Sequence, residues 1–205
     1  MLKQVYIDDV VSAFIRKQES IVKNNGPELI EDIDPVYSVT LGGVASLIRS
    51  FRECRIGLGV PDLSDHFTRK LYAAYLSYLP ENEFSYPLKM NIDHRGSFTE
   101  FIRTNDRGQV SINISKPGVV KGNHWHHTKN EKFLVVSGTG VIRFRKIGAT
   151  EVIEYHVAGE KLEVVDIPPG YTHNIENPGT TDMVTIMWAS EVFDRNNPDT
   201  FFEVV

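Results

Sequence analysis

The stretch from Gly118 to Gly138 reads GVVKGNHWHHTKNEKFLVVSG, and it decides how the rest of the chain is interpreted. His124 and His126 stand two residues apart, so both can point to the same side of a β-strand, and Glu131 would return on the next strand. A second stretch, PPGYTHNIEN, supplies His173 after a Pro-Pro-Gly turn. Three imidazoles and one carboxylate with this spacing suit a borderline divalent metal, so we predict these four side chains as metal ligands.

The composition of the chain limits which kinds of protein and which binding partners are expected. With 205 residues, of which 41% are hydrophobic and 24% charged, the chain has enough apolar material for a folded core. The net charge of −5 is shared by both halves, so neither half offers a basic surface and nucleic acid is not an expected partner. No apolar run is long enough to span a bilayer, so no membrane association is expected.

The cysteine content and the amino terminus bear on the compartment. Cys54 is the single cysteine, which excludes an internal disulfide and fits a reducing compartment. The first residues, MLKQVYIDDVVSAFIRK, are interrupted by Asp8 and Asp9, unlike the apolar region of a signal peptide. We therefore expect a cytoplasmic protein.

Two patterns of hydrophobicity divide the chain. Residues 1–83 carry apolar residues at helical spacing, with Thr40 as a predicted N-cap and a predicted loop at 24–35. Residues 84–205 instead show short strand-like segments separated by turns, for example at 105–108. Many short strands in about 120 residues predict a mainly β sandwich or jelly roll, preceded by a helical segment.

The predicted metal ligands lie in a pattern that resembles the two sequence motifs of the cupin superfamily. The first motif matches from Gly118 to Gly138 as G-x5-H-x-H-x4-E-x6-G. The second matches from Pro168 as P-x-G-x2-H-x3-N, with Leu162 in the place of its leading glycine. The resemblance implies a cupin double-stranded β-helix of jelly-roll type with a bound metal. The alternative is a cupin whose histidines serve polar packing or metal-free catalysis.

The segment DHRGSFTEF, from Asp93 to Phe101, resembles the opening segment of nucleotide-sugar 3,5-epimerases, which are also cupins. The resemblance implies that Arg95 contacts a phosphate and that Phe98 stacks on the base. It also implies that Glu100 accepts a hydrogen bond from the sugar or the base. Lys121 matches a position of the same family.

Those epimerases use the position of His124 differently, because their matching histidine is the general base and no metal is needed. They also carry a late tyrosine acid, whereas Trp188–Phe193 here contains no tyrosine. A metal-bound imidazole cannot at the same time accept a substrate proton. Because Glu131 is present, we expect His124 to be a metal ligand.

The whole chain resembles the bifunctional enzymes of capsular polysaccharide synthesis that fuse a short-chain dehydrogenase to a cupin. YIDDVV, from Tyr6 to Val11, resembles a late element of extended dehydrogenases, and NHWHHTKNEK from Asn123 matches the cupin part. This resemblance implies a UDP-linked 4-keto-6-deoxy-N-acetylhexosamine as substrate. The cupin would invert C3, and the dehydrogenase would reduce C4 with NADPH. Zinc in the cupin and a homodimer through the cupin are also implied.

The dehydrogenase part of this resemblance lacks its cofactor signature. The chain has no glycine-rich dinucleotide fingerprint and no Tyr-x-x-x-Lys catalytic pair. We therefore expect a carboxy-terminal piece without an NADPH site and without reductase activity. Residues 1–83 would be the helical tail of the dehydrogenase, and residues 84–205 the cupin domain.

Inversion at C3 requires removal of a proton acidified by the C4 ketone and its return on the other face. The candidates for this transfer are His127, Lys129, Lys132 and Tyr171. Lys121 and Arg95 are expected diphosphate partners. The metal is expected to act as a Lewis acid or to be structural. Two other functions stay open: a non-catalytic sugar-nucleotide-binding or dimerisation module, and a metal-dependent cupin dioxygenase.

Overall fold

The computed structural model describes most of the chain, namely residues 1–24, 33–104 and 106–205. The predicted loop at 24–35 and the predicted turn at 105–108 therefore lie partly outside the described residues. The chain divides into two compact units: unit 1 comprises 1–56 and 61–85, and unit 2 comprises 57–60 and 86–205. No helix in the described part is long and apolar enough to cross a membrane.

Unit 1 combines helices with a small sheet. Its helices are α1 (Ile7–Asn24), α2 (Leu41–Ile56) and α3 (His66–Ser77), and a short 3-10 helix spans Glu81–Glu83. Its strands β1 (Leu2–Gln4) and β2 (Tyr37–Val39) pair antiparallel.

Local chemistry explains the start of α2 and the centre of unit 1. The Oγ1 atom of Thr40 accepts a hydrogen bond of 3.0 Å from the backbone N–H of Gly43, which confirms the predicted N-cap. Phe51 of α2 is fully buried, and its ring centroid lies 5.0 Å from that of Tyr72 and 5.7 Å from that of Tyr75. This aromatic cluster fixes α2 against α3.

Unit 2 consists of short strands, as the alternating pattern predicts. These are β3 (Asn91–Asp93), β4 (Gly96–Thr104), β5 (Gly108–Ser115), β6 (Val120–Trp125), β7 (Glu131–Ser137), β8 (Thr139–Lys146), β9 (Val152–Ala158), β10 (Val164–Ile167), β11 (Tyr171–Glu176), β12 (Met183–Ala189) and β13 (Phe201–Phe202). They form a six-stranded sheet in the order β10-β7-β12-β5-β4-β3 and a five-stranded sheet in the order β13-β6-β11-β8-β9. Every pairing is antiparallel among the residues that the structure describes.

The core of unit 2 collects apolar side chains from both sheets. Its buried members are Phe133, Val135, Ile142, Phe144, Val157, Val165, Ile167, Ile175 and Met183. Two facing antiparallel sheets around one core form the jelly roll of a cupin. The expected fold class, a mainly β cupin domain preceded by a helical segment, is confirmed.

Strand β5 departs from the usual distribution of polar and apolar residues. Its fully buried side chains include Ser111, Asn113 and Ser115, whereas Ile112 and Ile114 are only half-buried. An antiparallel strand normally turns its apolar residues to the core. Here Asn113 instead lines a cavity in the interior beside β5.

Candidate metal centre

Four side chains from three strand ends converge inside unit 2. His124 lies in β6 with His126 just after its end, Glu131 begins β7, and His173 lies in β11. One ligand atom from each lies within 4.8 Å of every other. The ring centroids of His124 and His126 are 5.0 Å apart, and those of His124 and His173 are 4.5 Å apart. The structure thus brings all four predicted ligands into one cluster.

The polar atoms of this cluster are the ones that a metal would satisfy. The Oε2 atom of Glu131 lies 3.6 Å from Nε2 of His126 and 3.4 Å from Nε2 of His173. All three atoms are buried, and none has a hydrogen-bond partner among the described residues. Buried polar atoms without partners cost free energy, so they are rare in folded proteins. A divalent cation with nitrogen and oxygen ligands fits this donor set.

The protonation states of the cluster also suit a cation. Burial, followed by the charge of the neighbouring His173, lowers the pKa of His124 to about 4. Burial opposes ionisation of Glu131, but the imidazoles of His126 and His173 outweigh it and hold the pKa of Glu131 below its usual range. At neutral pH the cluster therefore offers a neutral imidazole at His124 beside an ionised carboxylate, the forms that bind metals.

A β-bulge positions His124. The register between β6 and β11 passes from His173–His124 to Asn174–Gly122, so Asn123 is an extra residue in β6. Gly122 and Asn123 both have positive φ, 105° and 58°. A Cβ atom on Gly122 would lie 2.8 Å from the backbone oxygen of His173. Only glycine therefore allows β6 to approach β11 so closely at this point.

Asp199, which the sequence did not single out, supports the cluster from outside. Its carboxylate accepts backbone hydrogen bonds from His127, Thr128 and Lys129, and its backbone oxygen contacts Nδ1 of His126. Burial raises the pKa of Asp199, but these N–H bonds outweigh burial and hold it well below its usual range. No local motif predicts this role, because Asp199 lies 70 to 73 residues along the chain from its partners.

A cavity of about 630 Å³ opens onto the cluster. Its volume falls within the range of sites for small molecules, roughly 300–1,000 Å³. Of the sequence candidates, it is lined by Arg95, Phe98, Lys121, His124, Glu131 and His173. Apolar wall is supplied by Phe133, Ile175 and Met187.

The two cations of the cavity are held differently. Nε and Nη2 of Arg95 bond the same carboxylate oxygen of Asp93, at 3.0 and 2.6 Å, and half of this arginine side chain is exposed. The Nζ atom of Lys121 donates to Oδ1 of Asn113 at 2.7 Å and to the backbone oxygen of Ile114 at 2.8 Å. Burial, followed by the charge of Arg95, lowers the pKa of Lys121. An ammonium has three N–H groups, so one is left for a ligand.

Among the residues that the structure describes, Glu100, His127 and Lys129 do not line this cavity, and each has contacts elsewhere. Glu100 pairs with Arg103 at 3.3 Å. The ring of His127 packs against Phe201 at 4.8 Å, and the buried Lys129 donates through Nζ to Thr200 at 2.8 Å.

The remaining two candidates, Lys132 and Tyr171, are also absent from the described lining of the cavity. Lys132 pairs with Asp166, and both side chains are more than half exposed. Tyr171 borders a separate recess together with Phe144 and Tyr155. Closeness in sequence to the ligands thus did not predict which side chains enter the cavity, because alternate residues of a strand face opposite sides.

Comparisons with known proteins identify related chains. Residues 91–201 match the family model described as polysaccharide biosynthesis C-terminal domain. The chain is 44% identical over 197 residues to UDP-2-acetamido-2,6-beta-L-arabino-hexul-4-ose reductase of Pseudomonas aeruginosa, covering 96% of this chain and 52% of that protein. It is 25% identical over 124 residues to the spore coat polysaccharide biosynthesis protein SpsL of Bacillus subtilis, covering 55% of this chain and 81% of that protein.

Among solved structures, the capsular polysaccharide assembling protein CapF from Staphylococcus aureus matches over the whole chain. The identity is 59%, the TM-score is 0.92, and the match covers 55% of that protein. The chain thus spans about half the length of the P. aeruginosa and S. aureus relatives. The resemblance to enzymes of capsular polysaccharide synthesis is confirmed.

Proposed function

Because the chain belongs to the family of polysaccharide biosynthesis C-terminal domains, we propose that it epimerises C3 of a UDP-linked 4-keto-6-deoxy-N-acetylhexosamine. One observation carries this proposal: a buried cluster of three histidines and one glutamate meets a cavity that also carries Arg95 and Lys121. The P. aeruginosa relative is named for a UDP-linked 2-acetamido sugar with a keto group at C4, which supports the substrate class.

The substrate would be held by charge and by apolar contact. Arg95 lies on the cavity wall with its fork oriented by Asp93, which suits it to a diphosphate. Phe98 presents its ring to the same cavity and would stack on the uracil. The sugar would then extend toward the cluster along the apolar side chains of Phe133 and Met187.

His124, His126, Glu131 and His173 would hold a zinc ion, since their unpartnered buried atoms fit its preferred ligands. Bound zinc supplies a Lewis acid that polarises a carbonyl oxygen. Lys121 is the cavity-lining group that we assign to proton transfer, in place of the four candidates that lie elsewhere. In its neutral form, which the lowered pKa favours, the amine would take the C3 proton on one face of the sugar, and water would return a proton on the other face. The active form is proposed to be a homodimer.

Deuterium exchange tests the proposal and separates it from the alternatives. The chain is incubated with a UDP-linked 4-keto-6-deoxy-N-acetylhexosamine in deuterated water, and the C3 proton is followed by NMR. The proposal expects loss of the C3 signal without oxygen consumption. Binding without exchange would instead indicate a sugar-nucleotide-binding module, and oxygen consumption a dioxygenase.

A further inference from the structure

We infer that Asp199 is a positioning residue for the metal centre: it holds His126, and the loop from His126 to Glu131, in the geometry that metal binding needs. This inference rests on the metal-binding part of the proposed function. Asp199 itself offers nothing to the metal, because its carboxylate is used by backbone N–H groups.

The carboxylate of Asp199 fixes the loop between two ligands. Oδ1 accepts from the backbone N–H of His127 at 2.8 Å, and Oδ2 accepts from those of Thr128 and Lys129 at 2.7 and 2.8 Å. The hydroxyl of Thr128 donates a fourth hydrogen bond to this carboxylate, 3.0 Å from Oδ2. Three consecutive N–H groups on one ionised carboxylate are charge-assisted bonds, which are stronger than neutral ones. The side chain of Asp199 alone therefore holds three consecutive residues of the loop.

The backbone of Asp199 fixes the tautomer of His126. Its carbonyl oxygen accepts a hydrogen bond from Nδ1 of His126. A carbonyl can only accept, so Nδ1 carries the proton and the lone pair lies on Nε2. That Nε2 atom is the one 3.6 Å from Glu131. Partners of this kind on the outer nitrogen orient a ligand histidine and raise its basicity.

The chain that follows Asp199 is anchored to the ligand loop and to β6. Thr200 receives the Nζ hydrogen bond of Lys129 at 2.8 Å, and its hydroxyl lies 3.5 Å from Nδ1 of His126. Strand β13 follows, and its Phe202 pairs in register with His124. Asp199 is therefore the point where this segment meets the ligand loop.

Zinc affinity of the full chain, measured by competition with a chromophoric chelator, tests the inference. Asp199→Ala keeps the backbone carbonyl but removes the carboxylate, and we expect its zinc affinity to fall by about 10- to 100-fold. Asp199→Asn keeps one acceptor oxygen and should lie between the parent and Asp199→Ala. Asp194→Ala is the matched control, since Asp194 bonds only the nearby backbone N–H of Asn196 among the contacts described. Its affinity should stay within about twofold of the parent.

The metal-free proteins provide the second readout. Nitrogen NMR of the parent should show the Nδ1-protonated tautomer of His126, and this signature should weaken in Asp199→Ala. If Asp199→Ala lowers stability but binds zinc as tightly as the parent, the inference is overturned. If Asp199→Ala does not fold, the zinc affinity of Asp199→Asn is compared with that of the parent by the same criterion. A parent that binds no zinc overturns the inference and the metal site together. Failure of C3 exchange with intact zinc binding counts only against the epimerase.

Discussion

The Nε2 atom of His173 lies 3.4 Å from the Oε2 atom of Glu131, and this contact joins strands of different sheets. His173 belongs to the five-stranded sheet and Glu131 to the six-stranded sheet. A metal bound between them would cross-link the two layers of the jelly roll. Metal binding and folding of unit 2 should therefore be linked.

Removal of metal is expected to destabilise the protein. A ligand that binds only the folded state stabilises it by about 2.7 kcal/mol when its free concentration is a hundred times Kd. We expect the midpoint of thermal unfolding to fall on treatment with a chelator and to recover on addition of zinc, measured by calorimetry. An unfolding midpoint that changes with neither treatment would show that the buried polar atoms of the cluster do not require a metal.

Substitution of Gly122 should be costly because of the bulge that places His124. Gly122→Ala brings a Cβ atom to 2.8 Å from the backbone oxygen of His173, with φ at 105°. Gly148→Ala is the matched control, because Gly148 also has positive φ but no heavy atom within 4 Å of the added Cβ. We expect losses of about 3 kcal/mol for Gly122→Ala and about 1 kcal/mol for Gly148→Ala in urea unfolding. Equal losses would contradict the close approach.

Arg95 should set the ionisation of two neighbours. Its hydrogen bonds lower the pKa of Asp93 to about 2, and its charge contributes to the lowered pKa of Lys121. Arg95→Gln should therefore raise both pKa values, Asp93 toward about 3.9, as followed by NMR titration. Arg107→Gln should change neither, since Arg107 pairs with Asp106.

The sign of the effect on stability follows from the same shift. The pKa of Asp93 is lower in the folded protein than in the unfolded chain, so its pairing with Arg95 stabilises the fold above the unfolded pKa. That contribution disappears as the pH falls toward about 2. In Arg95→Gln this acid-dependent part should be smaller, since the backbone N–H of residue 95 still donates to Asp93. An unchanged acid titration of Asp93 would exclude the pairing in solution.

Lys121 should be needed for exchange at C3. Lys121→Gln removes the amine that we assign to proton transfer, and we expect the exchange rate to fall by about 10²- to 10⁴-fold. The exposed Lys161→Gln, whose partner is Glu163, should exchange like the parent. Retention of a near-parent rate in Lys121→Gln, with zinc still bound, would reassign the proton transfer to another group.

The cluster of four candidate metal ligands could be predicted because its signal is local. Two histidines at i and i+2 share one side of a strand, and Glu131 follows His126 by only five residues, at the start of a strand in the other sheet. His173 followed from the second motif. The bulge at Asn123, by contrast, is a relation between β6 and β11 and has no signature within β6 alone.

The role of Asp199 and the contacts of Lys129 and Lys132 could not be predicted from the sequence, because they join residues that are far apart in the chain. Asp199 meets the ligand loop because the segment that leads into β13 lies beside β6. Lys132 and Lys129 flank Glu131 in sequence as closely as a catalytic group would, yet one pairs with Asp166 and the other with Thr200. The sequence also did not show which face of β5 is interior, because the buried face carries polar residues such as Asn113, which lines the cavity.

Native mass spectrometry after dialysis measures the zinc content per chain and so shows whether the four-residue cluster binds the metal. We expect one zinc ion in the parent and loss of that ion in Glu131→Gln and in His126→Gln. His156→Gln, at an exposed histidine of β9, should retain it. A parent without zinc, or cluster variants that keep the ion, would refute a zinc site at these four residues.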